Sequence, residues 1–260
     1  YYYTGPDGAM TFWAPVTGAT TPGSSFPRSE LREQISPPSN EINWRGYGTH
    51  LLNATCKVLQ VPDTKKVIIG QIHTKTGDAR PLVKLQYNNG TIEALVKIYA
   101  SDTMPDTDNK LTFQNVGLSN SVAYTIQLEN GLVAVTVNGL TKSTNAFLTD
   151  PSWTTNEFYY KAGSYCQDNV GTTNDGARVA FYALARSHAP AITNQPNSIT
   201  IGAGNSTNLS VQATGNGTLT YQWRLNGTNL TVNATGSTLN LNNVQSANAG
   251  AYSVRVADSI

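Results

Sequence analysis

Three short stretches of this chain carry side chains that can neutralise a carboxylate, take a proton or give one. They are residues 28–32 (RSELR), 71–73 (QIH) and 159–167 (YYKAGSYCQ). The third is crowded with aromatics and has no helix-length apolar periodicity, which is typical of a strand. Successive side chains of a strand point to opposite faces, so the two faces can be listed separately.

The two faces of the third stretch differ most clearly in composition. One face is cationic and polar and includes a glycine, with Lys161, Gly163, Tyr165 and Gln167. The other is small and mostly apolar, with Tyr160, Ala162, Ser164 and Cys166. We expect the second set to pack inward and the first to form the floor of a groove. There, Gly163 would leave space for a ligand between Lys161 and Tyr165.

The two earlier stretches show the same division. The first presents a polar set made of Arg28, Glu30 and Arg32. The second presents Gln71 and His73, directly after the strong strand signal of residues 67–70 (VIIG). Sheets hold such strands side by side, so we expect one assembled polar surface.

The composition predicts an all-β protein. The 260 residues are only 13% charged, and Gly, Thr, Asn and Ser are abundant. Turn residues punctuate short apolar alternations, and two hairpins are predicted at residues 88–90 (NNG) and 129–131 (ENG). The net charge is +1, so no global field favours nucleic acid or a membrane. No apolar run is long enough to span a bilayer.

A change of composition predicts two domains joined by a linker. After residue 186 the only charged residues are Arg224, Arg255 and Asp258. We expect a first domain at 1–186, a linker at 187–195 and a second domain at 196–260. Trp223 and Tyr252 occupy the positions of the buried Trp and the tyrosine corner of an immunoglobulin-like sandwich, which the second domain therefore resembles. At this length, we expect that domain to be incomplete.

Together, the three polar stretches resemble polysaccharide lyase family 7, the alginate lyases. RSELR matches the family's R-(S/T)-E-L-R and QIH its Q-(I/V)-H, while YYKAGSYCQ matches Y-(F)-K-A-G-x-Y-x-Q with Tyr160 in place of the commoner Phe. The resemblance covers residues 1–186. It implies a concanavalin-like β-jelly roll of two curved antiparallel sheets, with the substrate in the concave face.

The resemblance implies endo-acting cleavage of a 1,4-linked uronate polymer by β-elimination. The C5 proton is weakly acidic because the neighbouring carboxylate is already negative, so the site must offset that charge. We assign this role to Arg28 and Gln71, which offer bidentate and neutral amide donors. The unperturbed pKa of histidine lies near neutrality, so His73 is the expected base, and Tyr165 is the expected proton donor to the leaving oxygen.

Other roles follow from the same resemblance. For mannuronate, Tyr165 would also serve as the base, with His73 holding or polarising the carboxylate. Arg32 and Lys161 are assigned to neighbouring carboxylates, and Gln167 is placed with them as a substrate-binding residue. Glu30 is assigned to orienting the two arginines. The Ile of QIH is loosely associated with guluronate-containing blocks.

Each of these assignments has an alternative interpretation. A single His on a strand is usually structural, and the polar set of the first stretch could be a solvated ion-pair ladder. Asp102, Asp106 and Asp108 invite comparison with a calcium loop. They lack its glycine and distal glutamate, so an exposed acidic turn is the preferred interpretation, and no metal or cofactor is expected.

The competing functions are a lyase for glucuronan or another polyuronate and a non-catalytic carbohydrate-binding module. Binding alone needs neither His73 nor Tyr165, which favours an enzyme. A glycoside hydrolase is disfavoured because no E-x-D-x-E spacing of paired carboxylates occurs.

The remaining expectations concern the protein's partners and surroundings. We expect a monomeric protein that is secreted or periplasmic, whose partner is an anionic polysaccharide and not nucleic acid or a membrane. The chain starts at Tyr1 without an initiator Met, which is expected of a mature form or a fragment. Cys56 and Cys166 both fall on inward positions, which favours buried thiols over a disulfide.

Overall fold

The structure is a computed structural model that describes residues 1–21, 23–34, 43–76, 80–113, 116–215 and 217–258. The chain divides into two compact units. One comprises Tyr1–Gly46 and His50–Ser187, and the other comprises Tyr47–Thr49 and His188–Ile260. Helical structure in the described ranges is limited to α1 (Ala146–Thr149) and two 3-10 helices (Pro151–Thr155 and Ser246–Asn248). None of it is long and apolar enough to cross a membrane.

The first unit is built from β-strands. Within the described residues they are β1 (Tyr2–Thr4), β2 (Met10–Pro15), β3 (Arg28–Arg32), β4 (Trp44–Arg45), β5 (Thr49–Gln60), β6 (Lys66–Thr74), β7 (Pro81–Asn88), β8 (Thr91–Lys97), β9 (Asp108–Phe113), β10 (Ser121–Glu129), β11 (Leu132–Val137), β12 (Leu140–Asn145), β13 (Glu157–Cys166) and β14 (Gly176–Ala189). The predicted all-β class is confirmed.

These strands form two sheets with the hydrophobic core between them. The back sheet has the order β1-β2-β14-β5-β10-β11-β12. The other, here called the site sheet, has the order β3-β13-β6-β7-β8-β9, with β4 also paired to β13. The pairings with a described register are antiparallel, as expected of a jelly roll.

Period-two burial explains why these segments are strands. In β10, Val122, Tyr124, Ile126 and Leu128 are buried while the intervening residues face away from the core. Both predicted hairpins are present. In the turn between β7 and β8, Asn89 has φ 45° and Gly90 has φ 88°, the left-handed pair that a two-residue turn requires.

A buried carboxylate fixes β13 at the edge of the core. Glu33 Oε2 accepts hydrogen bonds of 2.9 Å from Trp44 Nε1 and from the backbone N–H of Tyr160. Its other oxygen lies 3.2 Å from Arg186 Nε. Glu33 is 7% exposed and Trp44 is fully buried. Tyr160 faces the core, as its strand parity predicts, so the opposite face of β13 is left for the site.

The second unit contains short sheets around a small core. Its described strands are β15 (Ala191–Asn194), β16 (Thr207–Ser210), β17 (Gln212–Thr214), β18 (Leu219–Leu225), β19 (Thr228–Asn229), β20 (Thr238–Leu241) and β21 (Tyr252–Asp258). Trp223 is fully buried at its centre, and the Tyr252 hydroxyl donates to the Asn248 carbonyl at 2.8 Å. That bond, to a carbonyl four residues upstream, is the geometry expected of a tyrosine corner.

Strands occupy most of the predicted linker, residues 187–195. β14 runs to Ala189, and β15 begins at Ala191 and pairs with β17. The limits of the linker stay a prediction, with residues 191–194 paired in a sheet.

Candidate active site

The strand order brings the three polar stretches together, because β13 lies between β3 and β6. The register between β3 and β13 pairs Arg28 with Tyr165, Glu30 with Gly163 and Arg32 with Lys161. The register between β13 and β6 pairs Lys161 with Gln71 and Tyr159 with His73. Directly paired residues of adjacent strands share a face. Hence, seven of the eight predicted site residues lie on one face of the site sheet.

Gln167 is the exception. It follows the end of β13, and its side-chain amide donates to the carbonyl oxygens of Cys166 at 3.2 Å and Tyr165 at 3.4 Å. The amide nitrogen of Gln167 is thus bonded to the end of its own strand. Its contact with substrate stays a prediction.

The role predicted for Gly163 is wrong. A Cβ at this position would lie 2.4 Å from the Ser29 carbonyl oxygen and 2.7 Å from the Glu30 Cα. Its φ of 153° also lies outside the range that other residues favour. The missing side chain therefore makes room for the backbone of β3 and not for a ligand. Glycine here allows two strands of the site to approach closely.

Tyr165 and Arg28 form one end of the site together with a loop residue, Ser24. The Arg28 guanidinium stacks over the Tyr165 ring at 3.7 Å. The Ser24 hydroxyl lies 3.0 Å from the Tyr165 hydroxyl and accepts a 2.5 Å hydrogen bond from Arg28 Nη2. Sequence reasoning missed Ser24, because it lies in a Gly-, Thr-, Ser- and Pro-rich segment that predicts only a loop.

Glu30 and Gln71 form a buried pair next to this end. Gln71 Nε2 donates to Glu30 Oε1 at 2.5 Å, and Glu30 Oε2 lies 3.7 Å from Arg28 Nη1. Burial raises the pKa of the Glu30 carboxyl. Because an amide nitrogen carries two hydrogens, Gln71 is oriented by Glu30 and retains a second N–H for a ligand.

His73 is held as a neutral imidazole with a defined tautomer. Its Nδ1 lies 2.9 Å from the Thr74 carbonyl oxygen, which can only accept, so Nδ1 carries the hydrogen and Nε2 has the free lone pair. Burial, followed by the positive charge of Lys161, lowers the pKa of His73 to about 4. The ring is therefore uncharged near neutral pH and can accept a proton at Nε2.

Tyr159 is a second residue that sequence reasoning missed. Its ring lies between the Arg32 guanidinium, at 3.9 Å, and the His73 imidazole, at a centroid distance of 5.3 Å. It is only 7% exposed. Tyr159 has the same strand parity as Lys161 and Tyr165, and this parity was the available signal. Arg32 also donates to Asn43 Oδ1 at 3.4 Å.

The electrostatic character of the site is cationic. Arg28, Arg32 and Lys161 face one carboxylate, that of Glu30, across β3 and β13. Burial lowers the pKa of Lys161, with the guanidiniums of Arg28 and Arg32 acting in the same direction. Such a surface favours an anionic ligand. It offers donors for a carboxylate, a base at His73 and a hydroxyl proton at Tyr165 on the same face.

The family model for alginate lyases matches residues 1–188. The chain belongs to the alginate lyase family. This alginate lyase homologue is therefore a polysaccharide lyase. A model for immunoglobulin domains matches the following residues, 189–257. A comparison with curated proteins gives no match.

Solved structures of alginate lyases are similar to the first part of the chain. Alginate lyase A1-II', a member of polysaccharide lyase family-7, is 39% identical over 72% of this chain and 83% of that chain, with a TM-score of 0.68. A variant of A1-II' in complex with the substrate GGMG is 38% identical over 72% and 81% of the two chains, with a TM-score of 0.68. Alginate lyase PA1167 from Pseudomonas aeruginosa is 37% identical over 72% and 86%, with a TM-score of 0.65.

Proposed function

We propose that this protein is an endo-acting alginate lyase that cleaves 1,4-linked mannuronate and guluronate chains by β-elimination. The observation that carries the proposal is the strand register that gathers Arg28, Gln71, His73 and Tyr165 on one face. Known alginate lyases of the same family, one with a bound oligosaccharide, support the substrate class. The products would be oligosaccharides with a 4,5-unsaturated uronate at the new non-reducing end.

The first requirement of the reaction is to make the C5 proton acidic. Arg28 and the second amide hydrogen of Gln71 would bind the carboxylate attached to C5 and stabilise the enolate-like charge that develops there. Glu30 supports this by holding both donors, through its ion pair with Arg28 and its hydrogen bond from Gln71. The buried Glu30 is thereby a positioning residue.

The second requirement is a pair of proton-transfer groups. His73 Nε2 would take the C5 proton, and the C–H electrons would form the C4–C5 double bond as the C4–O4 bond breaks. The Tyr165 hydroxyl would give its proton to O4 of the leaving sugar. For mannuronate, whose C5 proton lies on the other face of the ring, Tyr165 would take that proton as well.

Neighbouring sugars would be held by the remaining cations. Arg32 and Lys161 lie next to the reacting groups across β3 and β13 and would bind adjacent carboxylates. Gln167, which follows the end of β13, would assist them. We also propose that the protein works as a monomer outside the cytoplasm, where a polymeric uronate would be met. The immunoglobulin-like unit would then serve as a spacer or accessory module.

The test is the ultraviolet absorbance of the unsaturated uronate on separate mannuronate-rich, guluronate-rich and glucuronan substrates. Wild type is compared with His73→Ala and Tyr165→Phe, and solution viscosity is followed in parallel. We expect absorbance to rise on an alginate polymer, viscosity to fall early as endo-cleavage requires, and both substitutions to abolish turnover. Absorbance that rises only on glucuronan would change the substrate. Binding without any absorbance change would contradict the lyase assignment.

A further inference from the structure

The polar face of the site sheet continues beyond the proposed catalytic residues. β7 pairs with β6 and places Lys84 directly opposite Gln71. β8 pairs with β7 and places Leu95 directly opposite Lys84. One row across four strands therefore reads Lys161, Gln71, Lys84 and Leu95. None of the sequence motifs includes Lys84 or Leu95.

The other lysines on the far half of this face are neutralised within the protein. Lys97 Nζ lies 2.6 Å from Asp106 Oδ1 and 2.7 Å from Asp108 Oδ1. Lys110 Nζ lies 3.1 Å from Glu93 Oε1. Asp106, Asp108 and Glu93 are thus each paired with a lysine other than Lys84.

Lys84 has no such partner in the described ranges. Among the residues that the structure describes, its ammonium forms no hydrogen bond and no ion pair, although the side chain is half-buried. Burial lowers the pKa of Lys84, with the charges of Asp108 and Asp106 opposing this and that of Lys97 adding to it. A partly desolvated charge without a direct partner is unfavourable in the free protein. Its position is explained if a ligand supplies the missing anion.

We propose that Lys84 binds a second uronate carboxylate of the substrate, on the β7 side of the reacting sugar, with the half-exposed Leu95 beneath that sugar ring. Lys84 and Lys161 lie on either side of Gln71, two strand spacings apart, which is roughly 10 Å. A polymer lying across the strands would thus meet a cation on each side of the Gln71 amide. This inference rests on the proposed function, because it extends the same groove.

The experiment compares Lys84→Met with Lys110→Met, a control that removes an exposed, ion-paired lysine of the same face. Binding of uronate oligomers of increasing length is titrated in a Tyr165→Phe background, so that no cleavage occurs. We expect Lys84→Met to weaken binding of long oligomers about tenfold and to reduce its salt dependence. The loss should be smaller for oligomers too short to reach β7, and Lys110→Met should change affinity less than about twofold.

Two further measurements distinguish a ligand-binding role of Lys84 from a role in stabilising the fold. A ligand-binding role predicts that Lys84→Met does not lower the melting temperature of the free protein, and that Lys84→Arg retains most of the affinity. Unchanged affinity of Lys84→Met, or an equal loss at every oligomer length, would overturn the inference. A lowered melting temperature would also overturn it, by showing that Lys84 supports the fold. Absence of unsaturated product from wild type would instead refute the proposed function, because the binding titration does not depend on turnover.

Discussion

Replacing Lys161 with methionine should move the acid limb of the reaction toward higher pH. In the proposed mechanism only neutral His73 can take the C5 proton, so the acid limb of kcat/KM reports the pKa of His73 in the free enzyme. Lys161 is the second-largest cause that lowers this pKa, after burial. Methionine keeps an unbranched side chain at the position but removes the positive charge.

The structure sets the size of the effect. The pKa of His73 is lowered from 6.5 to about 4, so the wild-type acid limb should have its midpoint near pH 4. At pH 6, about one His73 in a hundred would be protonated, against about three in four for an unperturbed histidine. Burial remains when Lys161 is replaced, and so do the charges of Arg28 and Arg32. The midpoint of the variant should therefore lie above that of wild type but below 6.5.

Two measurements check this prediction. Initial rates from the ultraviolet absorbance of the product give kcat/KM from about pH 3.5 to 8. Titration of the imidazole resonances by NMR gives the pKa of His73 directly. The chain has only three histidines, and the spectrum of His73→Gln identifies the signal. Weaker substrate binding by Lys161→Met changes the height of the rate profile but not the position of its acid limb.

The uronate carboxylates of the substrate also titrate in acid, so Lys110→Met serves as the control. A limb that belongs to the substrate would have the same midpoint in all three proteins. The reasoning is refuted by a wild-type midpoint near 6.5. It is also refuted if wild type and Lys161→Met have the same acid-limb midpoint and NMR gives His73 an unperturbed pKa near 6.5.

Three further outcomes are expected. Ser24→Ala removes a hydroxyl bonded to Arg28 and Tyr165, so kcat/KM should fall about tenfold while the melting temperature stays within about 2 °C. Glu33→Ala leaves a buried indole N–H at Trp44 without its acceptor, and urea unfolding should show a loss of about 3 kcal/mol. Affinity for the polymer, measured by titration, should weaken steadily with added salt, because the groove and not the net charge of +1 attracts the polyanion.

The faces of the strands were predictable from the sequence because strand geometry has a fixed period of two. Parity alone placed Lys161 and Tyr165 on the site face and Tyr160 on the core face, and burial agrees with all three. The two hairpins were predictable because left-handed backbone strongly favours Asn and Gly. The pattern of short strands indicated a sandwich or barrel and an immunoglobulin-like second unit, whereas two curved sheets were implied by the family resemblance.

What could not be predicted depends on contacts between segments distant in sequence. The reason for Gly163 lies in the backbone of β3, more than a hundred residues earlier in the chain. Ser24 reaches Tyr165 only because its loop folds over the end of β13. That Lys84 lacks a partner within the described part of the chain depends on its three-dimensional neighbours, since Asp106 and Asp108 are both paired with Lys97.

The charges around His73 suggest how base strength and substrate binding are coupled. In the free protein, burial and then the neighbouring cations stabilise the neutral imidazole and make it a weak base. A bound uronate brings negative charge to those same cations and thereby offsets the effect that lowers the pKa of His73. The base should therefore become stronger only when a carboxylate is in place. It follows that the acid limb of kcat, which reports the enzyme–substrate complex, should lie at higher pH than the acid limb of kcat/KM.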